Sequence, residues 1–323
     1  MSEREGSQRE RGLRDPVGVV VVTYSPGDTL DRFLDTLEKA TTRRYAVVLA
    51  DNGSTDGAPE RAALRTGVTL LRTGGNVGYG RAVNLAIPEA PGGWVLVANP
   101  DVGWEPASLD GLLDAVERWP RAGTLGPAIL SPDGSLYPSA RSLPSLGRGI
   151  GHAVFGWWWP SNPWTAAYRR ERGAPTEGPV GWLSGSCLLV RREAFHAVSG
   201  FDPAYFMYFE DLDLCERIGA AGWQNVYVPG AVVNHEGGHA TSRDPAAMVA
   251  AHHASAYRYL SRRYAGWRWA PVRLALRLGL AVRARLARRV PSMAAGARST
   301  RRPPATPATP APPVSPPQRR PAD

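Results

Sequence analysis

The sequence predicts an α/β fold: a mostly parallel, Rossmann-like, doubly wound sheet with helices on both faces. Three observations predict it. Short β-branched runs alternate with amphipathic stretches from Val17 onward, the pattern of parallel strands joined by crossover helices. The runs are apolar at successive positions, as in strands buried on both faces. Polar residues gather where the runs end, at Asp51, Asn76 and Asp101, and open parallel sheets bind ligands outside the carboxyl ends of their strands.

Taken in order, Val17 to Thr23 predicts the first strand. Leu30, Phe33, Leu34 and Leu37 recur at helical spacing and predict the first helix. Tyr45 to Ala50 is a second strand, ending at Asp51-Asn52-Gly53, and a short helix is expected near Ala58 to Thr66. Val68 to Arg72 is a third strand, and Gly74 to Gly80 opens a helix that runs through Ile87. Trp94 to Ala98 is a fourth strand, ending at Asn99-Pro100-Asp101, and Leu109, Leu112, Leu113 and Val116 mark the next helix. Ser139 to Thr176 reads as a long loop holding Trp157, Trp158, Trp159 and Trp164. Beyond it come a strand at Cys187 to Val190, a helix at Asp211 to Ala221 and a strand at Val226 to Pro229. Val232 to Ala240 leads into a His- and Gly-containing loop.

Composition narrows the function classes. The chain has 323 residues, 43% hydrophobic and 21% charged, ordinary for a soluble globular protein. Its net charge is +9, and the excess is concentrated between Arg262 and Arg289, a stretch with many arginines and no acid. Such a stretch suits an anionic membrane surface or nucleic acid. No nucleic-acid motif accompanies it, so the membrane is favoured. Cys187 and Cys215 have no metal spacing and read as small buried hydrophobes of a reducing compartment. Met1 to Asp15 has no apolar core, so no secretory signal is expected. No uncharged apolar window reaches the length of a membrane span. The expected location is cytoplasmic, peripheral on the inner face of the plasma membrane.

Several motifs carry chemistry. In Asp51-Asn52-Gly53-Ser54-Thr55-Asp56, a carboxylate at a strand end can accept from a base N–H or ribose hydroxyls, or the segment can be a turn with a helix cap. The Gly74 to Arg81 loop, with Asn76 and Gly78, can hold phosphate on backbone N–H groups, with Arg81 supplying charge. It has no Gly-Lys-Ser/Thr ending and is no Walker loop. Asn99-Pro100-Asp101 is either a turn or a place for a hard divalent cation, Mg²⁺ or Mn²⁺, that bridges phosphates. His235 sits at a strand end beside glycines and can ligate that metal. Trp182, Ser184 and Gly185 combine an aromatic with small residues, a surface for a sugar ring. The strongest segment is Phe206 to Arg217, where Glu210, Asp211 and Asp213 crowd a helix start behind aromatics. The helix dipole favours acids there. Acids packed this closely also have raised or split pKa values, as a general base near neutral pH requires.

In order and spacing, Val-Val-Val-Thr-Tyr, Asp-Asn-Gly-Ser-Thr-Asp, Asn-Val-Gly-Tyr-Gly-Arg-Ala-Val-Asn, Asn-Pro-Asp, Gly-Ser-Cys-Leu-Leu-Val-Arg-Arg and Phe-Glu-Asp-Leu-Asp-Leu-Cys-Glu-Arg resemble the inverting family 2 glycosyltransferases of the GT-A fold, nearest their bacterial rhamnosyltransferase-like members. The resemblance covers residues 17–243. It implies that Asp51, with Thr23 and Tyr24, meets the nucleotide base or ribose, and that Asn76, Gly78 and Arg81 lie by the nucleotide or diphosphate. Asp101 stands at the last acid of the family's Asp-x-Asp motif, while Asn99 replaces the first, so the metal rests on Asp101 and His235. Trp182, Ser184 and Gly185 border sugar and acceptor. Asp211 is the implied base, with Glu210 and Asp213 beside it.

The implied reaction moves a sugar, L-rhamnose from dTDP-rhamnose, to a hydroxyl of a cell-envelope glycan or a polyprenyl-diphosphate-linked sugar. The implied organisation is a polar leader (1–15), a glycosyltransferase domain (16–243) with a nucleotide-sugar half (16–130) and an acceptor half (131–243), a basic helical segment (244–290) and a Pro-rich tail (291–323). Two alternatives stay open from sequence: a nucleotidyltransferase on a related sheet, and a non-catalytic glycan- or nucleotide-binding protein.

Overall fold

A computed structural model of the chain describes residues 16–144, 176–237, 245–275 and 277–279. The leader 1–15, Trp157, Trp158, Trp159, Trp164, His239, Ser242, Arg243, the basic residues of 280–289 and the tail 291–323 lie outside these.

The first elements are β1 (Val17–Thr23), α1 (Thr29–Ala40), β2 (Tyr45–Asp51), α2 (Ala58–Ala62), β3 (Val68–Arg72), α3 (Tyr79–Ala86) and β4 (Trp94–Ala98). The β-branched run of β1 is buried at all seven positions, because it lies between β2 and β4 and is covered on both faces. These strands pair in parallel in the order β3-β2-β1-β4. The register aligns Thr23 with Asp51 and Asp51 with Arg72, so the strand ends are level and their loops share one edge. Val17, Val19 and Val21 face α1 through Leu30, Phe33 and Leu37, which are fully buried. Each such side chain contributes about 1.5–3 kcal/mol of burial. Val20 and Val22 face α3 through Ala82, Val83 and Ala86.

The second half contains β5 (Val102–Trp104), α4 (Ser108–Arg118), β6 (Ala122–Leu130), β7 (Leu136–Tyr137), β8 (Ala140–Arg141), β9 (Gly178–Val180), β10 (Trp182–Leu183), β11 (Cys187–Arg191), α5 (Arg192–Ala197), α6 (Glu210–Ala220), β12 (Gln224–His235) and α7 (Pro245–Arg263). The main sheet continues as β4-β11-β6-β12-β5. Here β11 runs antiparallel to both neighbours, β12 is parallel to β6, and β5 returns antiparallel to β12. β8 and β10 form a separate two-stranded sheet. Helices cover both faces, with α4 in the cluster of α1 and α6 in that of α3.

The departures from the sequence reading concern strands. β5 to β10 were not expected, β8 falling inside the stretch read as a long loop, and β12 does not stop at Pro229. It continues to His235 with a register shift between Val228 and Val232, a bulge that accommodates Pro229 and Gly230. The second helix is also shorter than expected, ending at Ala62. Both cysteines are free and buried.

Candidate active site

A cavity of about 560 Å³ opens at the strand ends, between the β1–β4 loops and the segment 206–212. Its wall takes Val22, Tyr24 and Pro26 from the β1 loop, Asn52 from the β2 loop and Asn76 and Tyr79 from the glycine-rich turn. Asn99, Pro100 and Asp101 come from the β4 loop, and Trp182, Ser184, Gly185 and Ser186 from the approach to β11.

Asp51 is a buried carboxylate behind this wall, only 1% exposed. Its Oδ1 accepts from Thr23 Oγ1 at 3.0 Å and from the Ser54 N–H at 3.0 Å. Its Oδ2 accepts no hydrogen bond, and the Arg72 guanidinium stands 3.5 Å away. Thr23 is fully buried and orients Asp51 without lining the cavity. Asn76 lines the cavity and accepts from the Gly78 N–H at 3.2 Å.

Asp101 and His235 meet because β5, directly after Asp101, pairs with the end of β12: His235 lies opposite Val102. Asp101 Oδ1 is 3.1 Å from His235 Nε2, yet it is buried and accepts no hydrogen bond. The Asn99 amide nitrogen is 3.4 Å from the same Nε2. Two ligands about 2.1 Å from one cation, at right angles, stand about 3.0 Å apart. The spacing of the pair suits a cation, and Asp101 and His235 are the residues that would hold Mg²⁺ or Mn²⁺. Among the described residues no third His, Cys, Asp or Glu joins them.

Opposite lies the acidic segment. Tyr208 and Phe209 both have φ of 67°, in the left-handed region, where each non-glycine residue costs about 1–2 kcal/mol. This double turn starts α6 abruptly and faces Glu210 and Asp211 into the cavity. Asp211 Oδ2 accepts from the Gly185 N–H at 2.9 Å, and Oδ1 accepts from the Leu212 N–H at 2.8 Å. Burial raises the Asp211 pKa; these N–H groups and the Arg141 charge oppose it. Burial, then the Asp211 charge, raises that of Glu210. Glu210 Oε2 is buried without a hydrogen-bond partner. The Gly185 peptide also accepts from the Tyr79 hydroxyl at 2.6 Å, so Tyr79, Gly185 and Asp211 form one chain of contacts.

Besides Thr23 and Asp51, three residues of the expected site do not line the cavity. Asp213 is two positions from Asp211, about 200° around the helix. Its carboxylate is buried against Arg217 at 2.7 Å and Arg262 at 3.0 Å, outside the cavity wall. Gly78 does not line the cavity. Its φ is +88°, and a Cβ there would lie 2.4 Å from the Phe206 carbonyl. Arg81 is exposed on the first turn of α3 and does not line the cavity.

The glycine-rich motif is instead a joint between the two halves. The Tyr79 N–H donates to Phe206 O at 3.0 Å. Asn84 donates to Phe201 O at 2.8 Å and accepts from the Phe201 N–H at 2.9 Å. Gly80 leaves room for the Phe201 side chain, 2.8 Å from where its Cβ would stand. From the other side, α7 clamps the same segment. Ser255 donates to Met207 O at 2.8 Å, His252 packs edge-on to Tyr208 and Phe209, and Arg258 and Arg262 pair with Asp202.

The sequence reading missed Asn52, Tyr79, Tyr137, Arg141 and His252, all of which line the cavity. Tyr79 had a signal, an aromatic between two glycines at a helix start. Arg141 had none, since it lies on a two-residue strand within a polar stretch.

Comparisons with known proteins agree with this geometry. Residues 18–199 match Glycosyl transferase family 2. A protein of Mycobacterium tuberculosis (strain CDC 1551 / Oshkosh), named N-acetylglucosaminyl-diphospho-decaprenol L-rhamnosyltransferase, is 58% identical over 286 residues, 85% of this chain and 93% of its own length. The rhamnosyltransferase WbbL of Escherichia coli (strain K12) is 28% identical over 76% of this chain and 93% of its own. Among solved structures, the mannosyltransferase PcManGT from Pyrobaculum calidifontis, in complex with GDP-Man and Mn²⁺, shares the fold with a TM-score of 0.52 and 20% identity, over 85% of this chain and 75% of that one. These matches remove the nucleotidyltransferase alternative and bear out the expected GT-A architecture. The strand-end cavity is thus set in a glycosyltransferase fold, and the chain belongs to glycosyl transferase family 2.

Proposed function

We propose that this protein is an inverting rhamnosyltransferase that moves L-rhamnose from dTDP-rhamnose to the sugar of an N-acetylglucosaminyl diphosphate carried on a polyprenol. The observation that carries this reading is 58% identity with the so-named mycobacterial protein across 93% of its length. The cavity supports it, because a cation site and a candidate base line the same space.

The residues divide the work. Residues 16–130 form the donor half and residues 131–243 the acceptor half. Asp51 Oδ2, which accepts no hydrogen bond, has acceptor capacity for a base N–H or ribose hydroxyl, with Thr23 fixing the carboxylate and Tyr24 and Asn76 on the cavity wall. Asp101 and His235 hold the divalent cation, with Asn99 beside them. When bound, that cation neutralises charge on the leaving diphosphate. Asp211 takes the proton from the acceptor hydroxyl, which attacks the anomeric carbon from the face opposite the leaving group and inverts it. The Gly185 N–H holds the receiving oxygen in place. Trp182 and Ser184 border the acceptor, and Glu210 keeps its proton to higher pH, so the pair need not carry two charges. To Asp213 we assign an ion-pair role.

A peripheral membrane position fits a lipid-linked acceptor. No helix among the described residues is long and apolar enough to cross a membrane. Trp267, Trp269, Leu274 and Leu278 are exposed, with Arg268 and Arg277 among them, the composition of an interfacial anchor.

Transfer is measured from dTDP-rhamnose, with UDP- and GDP-sugars as controls, to a short-chain polyprenyl-diphosphate acceptor. Asp211→Asn is expected to lower kcat about 10²–10⁴-fold, the range of a lost general base, with thermal stability retained. Undiminished transfer by the variant removes Asp211 as base. A product that keeps the donor's anomeric configuration removes inversion.

A further inference from the structure

Among the described residues, one permanently charged cation lines the cavity: Arg141. Its position is built. On β8 it stands in register with Trp182 on β10. Its Nε donates to Pro138 O at 2.7 Å, and its guanidinium carbon lies 5.6 Å from the Trp182 ring centre and 5.9 Å from that of Tyr137. Among the described residues no carboxylate pairs with it, and its two terminal nitrogens have no hydrogen-bond partner. Elsewhere in this chain arginines near acids are paired: Arg217, Arg258, Arg262 and Arg263 all hold carboxylates.

A guanidinium fixed on aromatic faces, with its fork open to a cavity, matches two phosphate oxygens. Two diphosphates enter this reaction. The donor's has the Asp101–His235 site at the β4 and β12 ends. Arg141 lies on the other, acceptor half, in the small sheet whose β10 leads within two residues to Gly185, the group that holds the candidate base.

Resting on the rhamnosyl reading, we propose that Arg141, seated on Trp182 and Tyr137, is the subsite for the diphosphate of the lipid-linked acceptor. The acceptor sugar is attached directly to that diphosphate, so gripping it sets the distance from lipid to base. Its charge also favours ionised Asp211. Pairing Arg141 with a bound diphosphate offsets that field and makes the base more proton-hungry once the acceptor is in place.

The test uses the full chain and two acceptors, a short-chain polyprenyl-diphosphate N-acetylglucosamine and an alkyl N-acetylglucosaminide without diphosphate. The readout is the ratio of kcat/KM for the two, in which changes in base strength common to both cancel. Donor dissociation constants are measured alongside. In wild type the ratio favours the diphosphate acceptor. Arg141→Gln is expected to lower it about 10- to 100-fold, the loss of one or two charge-assisted hydrogen bonds, and to leave donor affinity within about twofold. Arg141→Lys, which keeps the charge and loses the fork, falls between. Loss of donor affinity with an unchanged ratio assigns Arg141 to the donor diphosphate and overturns the proposal. Equal losses on both acceptors also overturn it. A wild type that transfers to both equally overturns the subsite alone. A wild type that transfers rhamnose to neither overturns the rhamnosyl reading together with it.

Discussion

Asp211 and Glu210 are adjacent in sequence and share a cavity, yet their environments differ. Backbone N–H groups hold Asp211, whereas Glu210 has a buried oxygen with no partner. Burial raises the pKa of both, so the two protons leave in coupled steps above the ordinary carboxylate range. Transfer by wild type should therefore rise with pH along a limb displaced upward from a free aspartate, and Glu210→Gln should reduce it to a single step in the pH–kcat/KM profile. Stability follows with a defined sign. The folded chain holds the Glu210 proton more tightly than the unfolded chain does, so its contribution is full at low pH and lost as pH rises through the raised value. Glu210→Gln should melt above wild type at alkaline pH, and the difference should shrink as pH falls from the raised value to the ordinary carboxylate range; a constant difference refutes this. At this scale the sequence was partly legible. The acidic run marked the site, but it grouped Asp213 with Asp211, although their helical spacing already separates them. The Asp101–His235 contact depends on β5, a strand of three residues that carries no periodicity.

Elements explain the glycines better than residues do. Gly78, Gly80 and Asn84 belong to one motif, and in sequence that motif looks like a ligand loop. In the fold it lets α3 touch the backbone of residues 201–206, which aims the candidate base. Gly78→Ala should therefore act at a distance. A Cβ 2.4 Å from the Phe206 carbonyl, on a left-handed backbone, costs on the order of 1–3 kcal/mol. The melting temperature should fall by several degrees, at about 2–4 °C per kcal/mol, and kcat should fall more than donor affinity. A loss confined to donor affinity returns Gly78 to the ligand. The same logic explains why β6 escaped notice. Gly123 and Gly126 make it read as a loop, yet they are small because Ile218, Trp223 and Leu183 press onto them. β1, with one such glycine at Gly18, and β4, with none, were plain as apolar runs.

Across the described residues the main sheet has ten strands, and within it β11 runs antiparallel to both neighbours and joins the two halves. Alternating runs foretold the first half, because local periodicity encodes crossovers. The second half is set by long-range pairing that leaves little local trace. At the C-terminal end, exposed Trp267 and Trp269 with nearby arginines predict binding to anionic vesicles. Near an anionic surface each arginine contributes about 1 kcal/mol. Co-sedimentation should weaken with salt, with zwitterionic lipid, and with the double change Trp267→Ala and Trp269→Ala. Equal binding by the double variant excludes this surface as the anchor.

The joint between α3 and the 201–206 segment grips main chain at Phe201 and Phe206. Main-chain contacts read no side-chain alphabet. Between those two anchors, Asp202 is tied to Arg258 and Arg262 and Tyr205 is fully buried, so the exposed Pro203 and Ala204 are the positions that can be rewritten while the clasp stays shut. Change at those two positions leaves the hinge pins, and the candidate base they aim, untouched.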